Sequence, residues 1–363
     1  MSSDRISAPA EGTATTRENN PSFLSTDLGK SAMLIALALL MLFSGRLVSP
    51  SLGGLNQLSA VLVLSSFLIV VAFGQQMVVL IGGLDLSIPS MITLGGLLTF
   101  AWTPHGVAEL LLVAVAVMAV TGAVGMISGL GVTLLAIPPF IMTLSMGIII
   151  YSACLGATRG TPRGQGSETI EALFSGRFFG VPLIILLVGL LAVLAIILQS
   201  RTTFGRFLYA TGTNRQAAYI AGLPVRRMTV ATYACSGAAA GLCGLLLVGF
   251  SGGATLTMGQ SYLLPSIAAV VVGGTAITGG RGSFLSVVAA ALLITTFTTV
   301  ISSIQIEEGW RTILYGAVVL IAILAMRDGT TPLTWRLFPL ARGHKKEPVS
   351  YTHLRAHETK ANL

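Results

Sequence analysis

The sequence predicts an all-α polytopic membrane protein with about ten transmembrane helices, of which one or two are broken or re-entrant. The chain has 363 residues, of which 53% are hydrophobic and 9% are charged, so its apolar surface is too large for one water-soluble domain. Several long stretches contain no Asp, Glu, Lys or Arg. Their apolar residues run without period-two alternation, which excludes a β-barrel and favours helices.

The charge-free stretches give the spans in chain order. A helix needs about 20 apolar residues to cross the bilayer. The stretches 110–158 and 228–280 are long enough for two helices each. One helix each is assigned to the stretches 31–45, 47–84, 86–108, 178–200, 282–306 and 312–326. Together these assignments give the total of about ten.

The chain divides into three regions. Residues 1–29 are rich in Ser, Thr, Asn and Pro and are predicted to be a disordered cytoplasmic tail. Residues 30–328 are predicted to form the transmembrane domain, and 329–363 a second cytoplasmic tail. Residues 350–359, SYTHLRAHET, resemble a translated sequencing adapter, so we interpret this end as non-native.

The distribution of basic residues predicts the orientation. An even number of spans puts both termini on one side, and a cytoplasmic location for them places 16 of the 21 Lys and Arg inside. That bias agrees with the positive-inside rule. It also accounts for the net charge of +8, and no basic cluster interleaved with aromatic residues indicates nucleic-acid binding.

Catalytic and metal-binding patterns are missing from the sequence. It has no His-Glu-x-x-His or Gly-x-Ser-x-Gly motif, and Cys154, Cys235 and Cys243 lie in apolar segments without metal or disulfide spacing. Gly29-Lys30-Ser31 copies the end of a nucleotide-binding loop, but position 24 is leucine where that loop needs glycine. We predict no catalytic residue, no metal and no directly bound cofactor, so any ATP would act through another polypeptide.

A polar, arginine-containing loop from Thr203 to Gly222 interrupts the apolar segments. One interpretation is a solvated turn whose cations only fix the topology. The other is a short docking helix for a partner, in which small alanines allow close approach and Gly222 with Pro224 ends the helix. The residues assigned to docking are Gly212, Asn214, Arg215, Gln216, Ala217, Ala218 and Gly222.

Asp85 lies where one apolar segment ends and a shorter one, broken by Pro89, begins. An acid in a membrane segment is a functional candidate because burying its charge is costly. Alternatively, Asp85 or Ser87 caps the helix that starts near Pro89. The predicted polar residues and glycines of a translocation path, each of which could instead make only interhelical contacts, are Gln75, Gln76, Asp85, Ser87, Thr93, Gln260, Gly273, Gly274 and Thr275.

Glycines mark two further features. The apolar run from Leu263 to Val272 is too short to span the membrane comfortably, and the glycine-rich residues 273–282 follow it. This arrangement predicts a broken or re-entrant helix. The patterns Gly125-x-x-x-Gly129 and Gly237-x-x-x-Gly241 are typical of close helix packing.

Four ordered segments resemble those of a known family. Residues 216–222, QAAYIAG, resemble a Glu-Ala-Ala-x-x-x-Gly loop, with Gln216 in place of Glu and without a downstream Ile-x-Leu-Pro. Residues 82–90, GGLDLSIPS, resemble Gly-Gly-Ile-Asp-Leu-Ser-Val-Gly-Ser except at Pro89. Residues 268–282, AAVVVGGTAITGGRG, resemble Gly-Gly-Thr-Ser-Leu-x-Gly-Gly-Lys-Gly, with Arg281 for Lys, and the external loop 159–181 also fits. Over about residues 50–328, the chain resembles permeases of ATP-binding-cassette (ABC) importers of the ribose/xylose/galactose class.

The resemblance implies a permease in the bacterial cytoplasmic membrane that translocates a monosaccharide. Its implied partners are an ABC ATPase subunit that docks on the 203–222 loop, a periplasmic or extracellular sugar-binding protein, and a second permease subunit that is either a copy or a paralogue. Membrane lipid surrounds it. The alternatives are a permease for branched-chain amino acids or nucleosides and, with less support from the sparse buried charges, an ion-coupled carrier.

Overall fold

The protein, seen in a computed structural model, is built almost entirely from helices. The structure describes residues 27–47, residues 53–303 apart from 163 and 165, and scattered residues between 307 and 320. The helices within these ranges are α1 Asp27–Ser44, α2 Leu55–Leu80, α3 Ile88–Trp102, α4 Val107–Leu134, α5 Pro139–Thr158, α6 Glu168–Ser175, α7 Leu183–Arg201, α8 Thr203–Thr213, α9 Arg215–Ile220, α10 Val225–Ser251, α11 Leu263–Val272 and α12 Phe284–Ser303.

Two irregular elements and one small sheet complete the described chain. Short 3-10 turns follow α1 at Gly45–Leu47 and precede α11 at Gln260–Tyr262. The strands β1 Arg177–Phe178 and β2 Val181–Pro182 pair antiparallel between α6 and α7.

Seven of the described helices are long and apolar enough to cross a membrane, namely α1, α2, α4, α5, α7, α10 and α12. The predicted total of ten is not confirmed. The stretch 110–158 holds two long helices as expected, but 228–280 holds one long helix and the 10-residue α11, and 86–108 holds only the 15-residue α3. Both predicted tails fall largely outside the described residues, and so does most of 312–326.

Helix α10 forms the centre of the bundle. In its most apolar window 67% of the residues are buried, against 28% in α4 and 22% in α7. Glycines allow its backbone to approach α4: a β-carbon at Gly125 would lie 2.2 Å from the Tyr233 carbonyl oxygen, and one at Gly237 would lie 2.3 Å from that of Thr121. Both Gly-x-x-x-Gly patterns therefore lie in the contact between α4 and α10, and the close helix packing that the sequence predicts is confirmed.

The bundle has two distinct ends. Helices α2 and α7 finish at one end, where α10 and α12 begin, and α8, α9 and the loop 273–283 lie there too. We call this the α8–α9 end. Its described arginines are Arg201, Arg206, Arg215, Arg226, Arg227 and Arg281. Helix α6 and the small sheet lie at the opposite end.

Candidate functional site

The predicted docking loop forms two short helices, α8 and α9, and each begins with a side-chain cap. The Thr202 hydroxyl accepts a hydrogen bond from the Gly205 N–H at 3.2 Å. The Asn214 side-chain oxygen accepts one from the Ala217 N–H at 2.9 Å. Such caps satisfy amides that have no partner within the helix. The polar residues of this loop therefore fix where each helix starts.

Gly222 ends α9 in a left-handed conformation, with φ of 78°. Its N–H donates to the Tyr219 carbonyl at 3.0 Å, and the Leu223 N–H donates to the Ala218 carbonyl at 3.0 Å. These two bonds form a Schellman motif, which suits glycine because it has no β-carbon to strain. The chain consequently turns sharply from α9 toward α10.

The two faces of α9 have different surroundings. Gln216 and Ala217 are exposed, and so are the larger apolar side chains of Tyr219 (66%) and Ile220 (76%). Ala218 is only 5% exposed because it faces the protein's own interior. A partner would thus meet Tyr219 and Ile220, which the sequence did not single out, and it would not meet Ala218.

Gly212 brings α8 into direct backbone contact with two other segments. A β-carbon at Gly212 would lie 1.8 Å from the carbonyl oxygen of Leu80, the last residue of α2, and 2.6 Å from the amide nitrogen of Gly280. The Gly280 N–H donates to that same Leu80 carbonyl at 2.9 Å. Gly279 has φ of 89°, and its β-carbon would lie 2.8 Å from the same oxygen. We call Gly212, Leu80, Gly279 and Gly280 the glycine junction.

Tyr209 provides a second link between α8 and the loop 273–283. Its hydroxyl donates to the Gly282 carbonyl at 2.5 Å. Burial, and then the nearby negative charge of Asp27, raise the pKa of Tyr209 to about 12. The phenol therefore stays protonated at neutral pH and remains a hydrogen-bond donor.

The break between α2 and α3 is held by buried hydrogen bonds. Asp85 is 1% exposed, and one of its oxygens accepts from the Ser87 N–H at 2.9 Å and from the Ser87 hydroxyl. Its other oxygen accepts from the Ser236 hydroxyl of α10 at 2.7 Å. From α5, the Thr143 hydroxyl donates to the Leu84 carbonyl at 3.2 Å and accepts from the Leu86 N–H at 3.1 Å.

Asp85 therefore connects helices rather than capping one. The N-cap residue of α3 is Ser87, and it makes no side-chain cap hydrogen bond. The carboxylate instead ties the break to Ser236 on α10, 151 residues further along the chain. The helix-cap interpretation does not describe this contact, and Asp85 lines neither of the two cavities described below.

Asp85→Ala is expected to destabilise the protein by about 1–3 kcal/mol, because it leaves the Ser87 amide and the Ser236 hydroxyl buried without an acceptor. Asp85→Asn keeps an acceptor oxygen and should cost less. Thermal unfolding of the purified variants in detergent measures the order. Glu109→Ala, at an exposed carboxylate, is the control, and equal unfolding temperatures for wild type and Asp85→Ala would contradict the assignment.

Polar residues on α2 form a second interhelical contact. The Gln76 side-chain amide donates to the Thr275 hydroxyl at 3.1 Å. Gln75 is fully buried, and neither of its amide atoms has a hydrogen-bond partner within the described chain. A β-carbon at Gly273, the residue that caps α11, would lie 2.7 Å from the Val287 α-carbon, and Gly274 follows with φ of 84°. These contacts place α11 against α2 and α12.

A cavity of about 260 Å³ lies between α3, α5 and the segment before α11. Its polar lining comes from Ser90 and Thr93 on α3, Tyr151 on α5 and Gln260. Its apolar lining is Leu86, Pro89, Leu144, Gly147, Ile148 and Leu256. We call it the α3–α5 cavity.

A second cavity, of about 650 Å³, lies further along the same two helices toward the opposite end of the bundle. It runs from Leu94 on α3 to Thr158, Arg159 and Thr161 at the end of α5. Only two of the predicted path residues, Thr93 and Gln260, line either cavity. The others lie elsewhere in the core or at the α8–α9 end: Gln75, Gln76, Asp85, Ser87, Gly273, Gly274 and Thr275.

No sequence pattern marks several of the residues in these sites. Tyr151 and Thr143 lie inside an apolar run of α5, and Ser236 lies inside one of α10. Their importance depends on which helices pack together. Within the described ranges, no group of three or more His, Cys, Asp or Glu could hold a metal ion.

Comparison with known proteins identifies similar sequences over most of the chain. Residues 57–323 match the family described as "Branched-chain amino acid transport system / permease component". The ribose import permease protein RbsC of Escherichia coli (strain K12) is 30% identical over 306 residues, covering 83% of this chain and 95% of that protein. RbsC of Bacillus subtilis (strain 168) is 33% identical, covering 71% and 80%.

A third relative is named for a different sugar. The fructose import permease protein FrcC of Rhizobium meliloti is 32% identical over 267 residues, covering 70% of this chain and 73% of that protein. No solved structure matches the chain significantly. The matched residues 57–323 contain α9, the glycine junction, Asp85 and both cavities.

Proposed function

Since the chain belongs to the family of branched-chain amino acid transport system permease components, we propose that it is the membrane-spanning subunit of an ABC importer that moves a monosaccharide across the bacterial cytoplasmic membrane. The single structural observation that carries the proposal is the capped α8–α9 pair, which contacts the end of α2 through the glycine junction. A partner that moves α9 can thereby act on the transmembrane helices.

The exposed side of α9 is the proposed contact with a separate ATPase subunit, which supplies ATP hydrolysis. Tyr219 and Ile220 form an exposed apolar pair next to Arg215 and Gln216. Aromatic and aliphatic side chains at the centre of an interface commonly contribute most of the binding energy. The proposal assigns no catalytic residue and no directly bound cofactor to this chain.

A monosaccharide is the substrate that the relatives and the α3–α5 cavity favour together. The relatives named above are ribose and fructose import permeases. The α3–α5 cavity has no charged lining residue, which suits a neutral sugar better than the two charges of an amino acid. A branched-chain amino acid is the second candidate, because the family description names that class.

Uptake into proteoliposomes tests the function. The permease is reconstituted with its ATPase and its sugar-binding protein, and ATP is supplied on the side of the membrane that the ATPase faces. Radiolabelled D-ribose, D-fructose, D-xylose, D-galactose, L-leucine and uridine are compared. ATP-dependent uptake of a sugar is expected, uptake of leucine or uridine alone would replace the sugar assignment, and sugar uptake without ATP would indicate an ion-coupled carrier.

Replacing both Tyr219 and Ile220 by Asp is expected to weaken association with the ATPase by roughly 30-fold or more, since it removes two exposed apolar contacts and adds charge. Co-purification with the tagged ATPase measures the loss. Phe179→Asp, at a 92% exposed side chain at the opposite end, is the matched control. Unchanged co-purification of the double variant would contradict docking on α9.

The orientation and the remaining partners complete the proposal. The arginines gathered at the α8–α9 end support a cytoplasmic location for that end and for both termini. The opposite end, with α6 and the small sheet, then faces a periplasmic or extracellular sugar-binding protein. A second permease subunit, either a copy or a paralogue, supplies the other half of the path, and lipid surrounds the pair.

A further inference from the structure

The α3–α5 cavity contains polar groups that the fold itself does not use. The side chains of Ser90, Tyr151 and Gln260 make no hydrogen bond to another described residue, although all three line the same space. Thr93 differs, because its hydroxyl donates to the Pro89 carbonyl at 3.0 Å and can only accept from a ligand. Two hydroxyls and one amide are thus available to donate and accept inside one cavity.

Glycines keep this cavity open and bring its parts together. A β-carbon at Gly147 would lie 3.7 Å from the Ser90 hydroxyl oxygen and 3.4 Å from the Leu86 carbonyl, so larger side chains would enter the space beside Ser90. A β-carbon at Gly259 would lie 2.0 Å from the Pro89 carbonyl oxygen. Only glycine at 259 lets the chain approach α3 this closely, and Gln260 follows directly.

The remaining lining is apolar and neutral. Leu144 and Ile148 on α5 and Leu256 flank the polar groups, and no Asp, Glu, Lys, Arg or His takes part. Small-molecule sites typically combine an apolar wall with a few well-placed polar groups. The volume of about 260 Å³ is just below the roughly 300 Å³ at which drug-sized pockets begin, which suits a single sugar ring.

We propose that the α3–α5 cavity is a low-affinity subsite for one neutral monosaccharide, in which Ser90, Tyr151 and Gln260 hydrogen-bond the sugar hydroxyls. The inference rests on the proposed function of sugar import and names the residues that contact the substrate within the path. Low affinity follows from the small number of polar groups, and a transport subsite must release its ligand as readily as it binds it.

Direct binding to the permease alone tests this subsite without the ATPase. The purified chain is placed in lipid nanodiscs, and saturation-transfer difference NMR is recorded with D-ribose and D-fructose as probes. Tyr151→Ala and Gln260→Ala should each weaken binding by roughly 2- to 10-fold, as expected for one lost hydrogen bond. Gly147→Leu, which keeps every polar group but fills the cavity, should remove the signal.

Two further variants distinguish the loss of a single sugar contact from a general destabilisation of the protein. Tyr151→Phe keeps the ring and loses only the hydroxyl, so its loss of affinity should be no larger than that of Tyr151→Ala. Gln57→Ala removes an amide at the far end of α2, away from the cavity, and should bind sugar as wild type does. Circular dichroism and size-exclusion profiles show which variants are folded.

The outcomes distinguish this subsite from the function on which it rests. The subsite would be overturned if sugar bound equally well to wild type and to the variants Tyr151→Ala, Gln260→Ala and Gly147→Leu. It would also be overturned if the permease alone bound no detectable sugar although the complete importer takes up that sugar. Import of leucine but no sugar by the complete system would overturn the proposed function and the subsite together.

Discussion

Gly212→Ala is expected to abolish ATP-driven sugar uptake, although the change adds a single methyl group. The new β-carbon would lie 1.8 Å from the Leu80 carbonyl oxygen and 2.6 Å from the Gly280 nitrogen. Both are backbone atoms, so no side chain can move aside and α8 must separate from α2. Overpacking of this kind costs about 1–3 kcal/mol. Uptake into proteoliposomes, with unfolding temperature and ATPase co-purification recorded in parallel, measures the effect.

The matched control for Gly212→Ala is Gly189→Ala in α7, where nothing lies within 4 Å of the new β-carbon. Alanine favours a helix over glycine by up to about 1 kcal/mol, so this control should be at least as stable as wild type. A folded Gly212→Ala protein that binds the ATPase but does not import would assign the loss to the glycine junction. Uptake equal to that of the control would show that the junction tolerates a methyl group.

Gly237→Val is expected to prevent accumulation of folded protein, because it separates the central helix α10 from α4. A β-carbon at Gly237 would lie 2.3 Å from the Thr121 carbonyl oxygen and 3.3 Å from the Gly125 α-carbon. Valine adds two further methyl groups, so we expect a cost of about 3 kcal/mol or more. Fluorescence-detected size-exclusion chromatography of membrane extracts measures the monodisperse fraction.

Gly156→Ala in α5 is the control for Gly237→Val, since nothing lies within 4 Å of its β-carbon. It should give the wild-type elution profile. Both substitutions remove a glycine from a helix. A difference between their elution profiles therefore reports the close packing at Gly237 and not the loss of a glycine as such. A normal profile and unfolding temperature for Gly237→Val would show that α10 can shift away from α4 without loss of the bundle.

Local patterns predicted the features that depend on neighbouring residues. Asn214 and Gly222 delimit α9 within a few residues of the predicted helix, because a cap and a left-handed glycine act on adjacent backbone. The length of the charge-free stretch 110–158 likewise predicted two helices, which are α4 and α5. Length alone assigned two spans to 228–280, because a count of apolar residues does not show that residues 252–262 leave the helix and approach Pro89. The glycines after Val272, in contrast, correctly marked Leu263–Val272 as a short helix.

Features that depend on distant helices could not be predicted. The bond from Ser236 to Asp85 joins residues 151 positions apart. The sequence singles out Asp85, but nothing in the α10 segment marks Ser236 as its partner. The cavity lining shows the same limit. Tyr151 is one polar-tipped residue in an apolar helix, and it becomes a candidate contact only when α5 lies beside α3 and Gln260.

At Gly212, α8 meets the end of α2 and the loop 273–283 through backbone atoms. A side chain can change rotamer and so absorb a small displacement, but two backbones in contact have no such freedom. A movement of α8 must therefore shift the end of α2 by a similar distance, and α3 begins only a few residues beyond that end. Side chains on the outer surface of α9 can diverge to suit a different ATPase without loosening this connection.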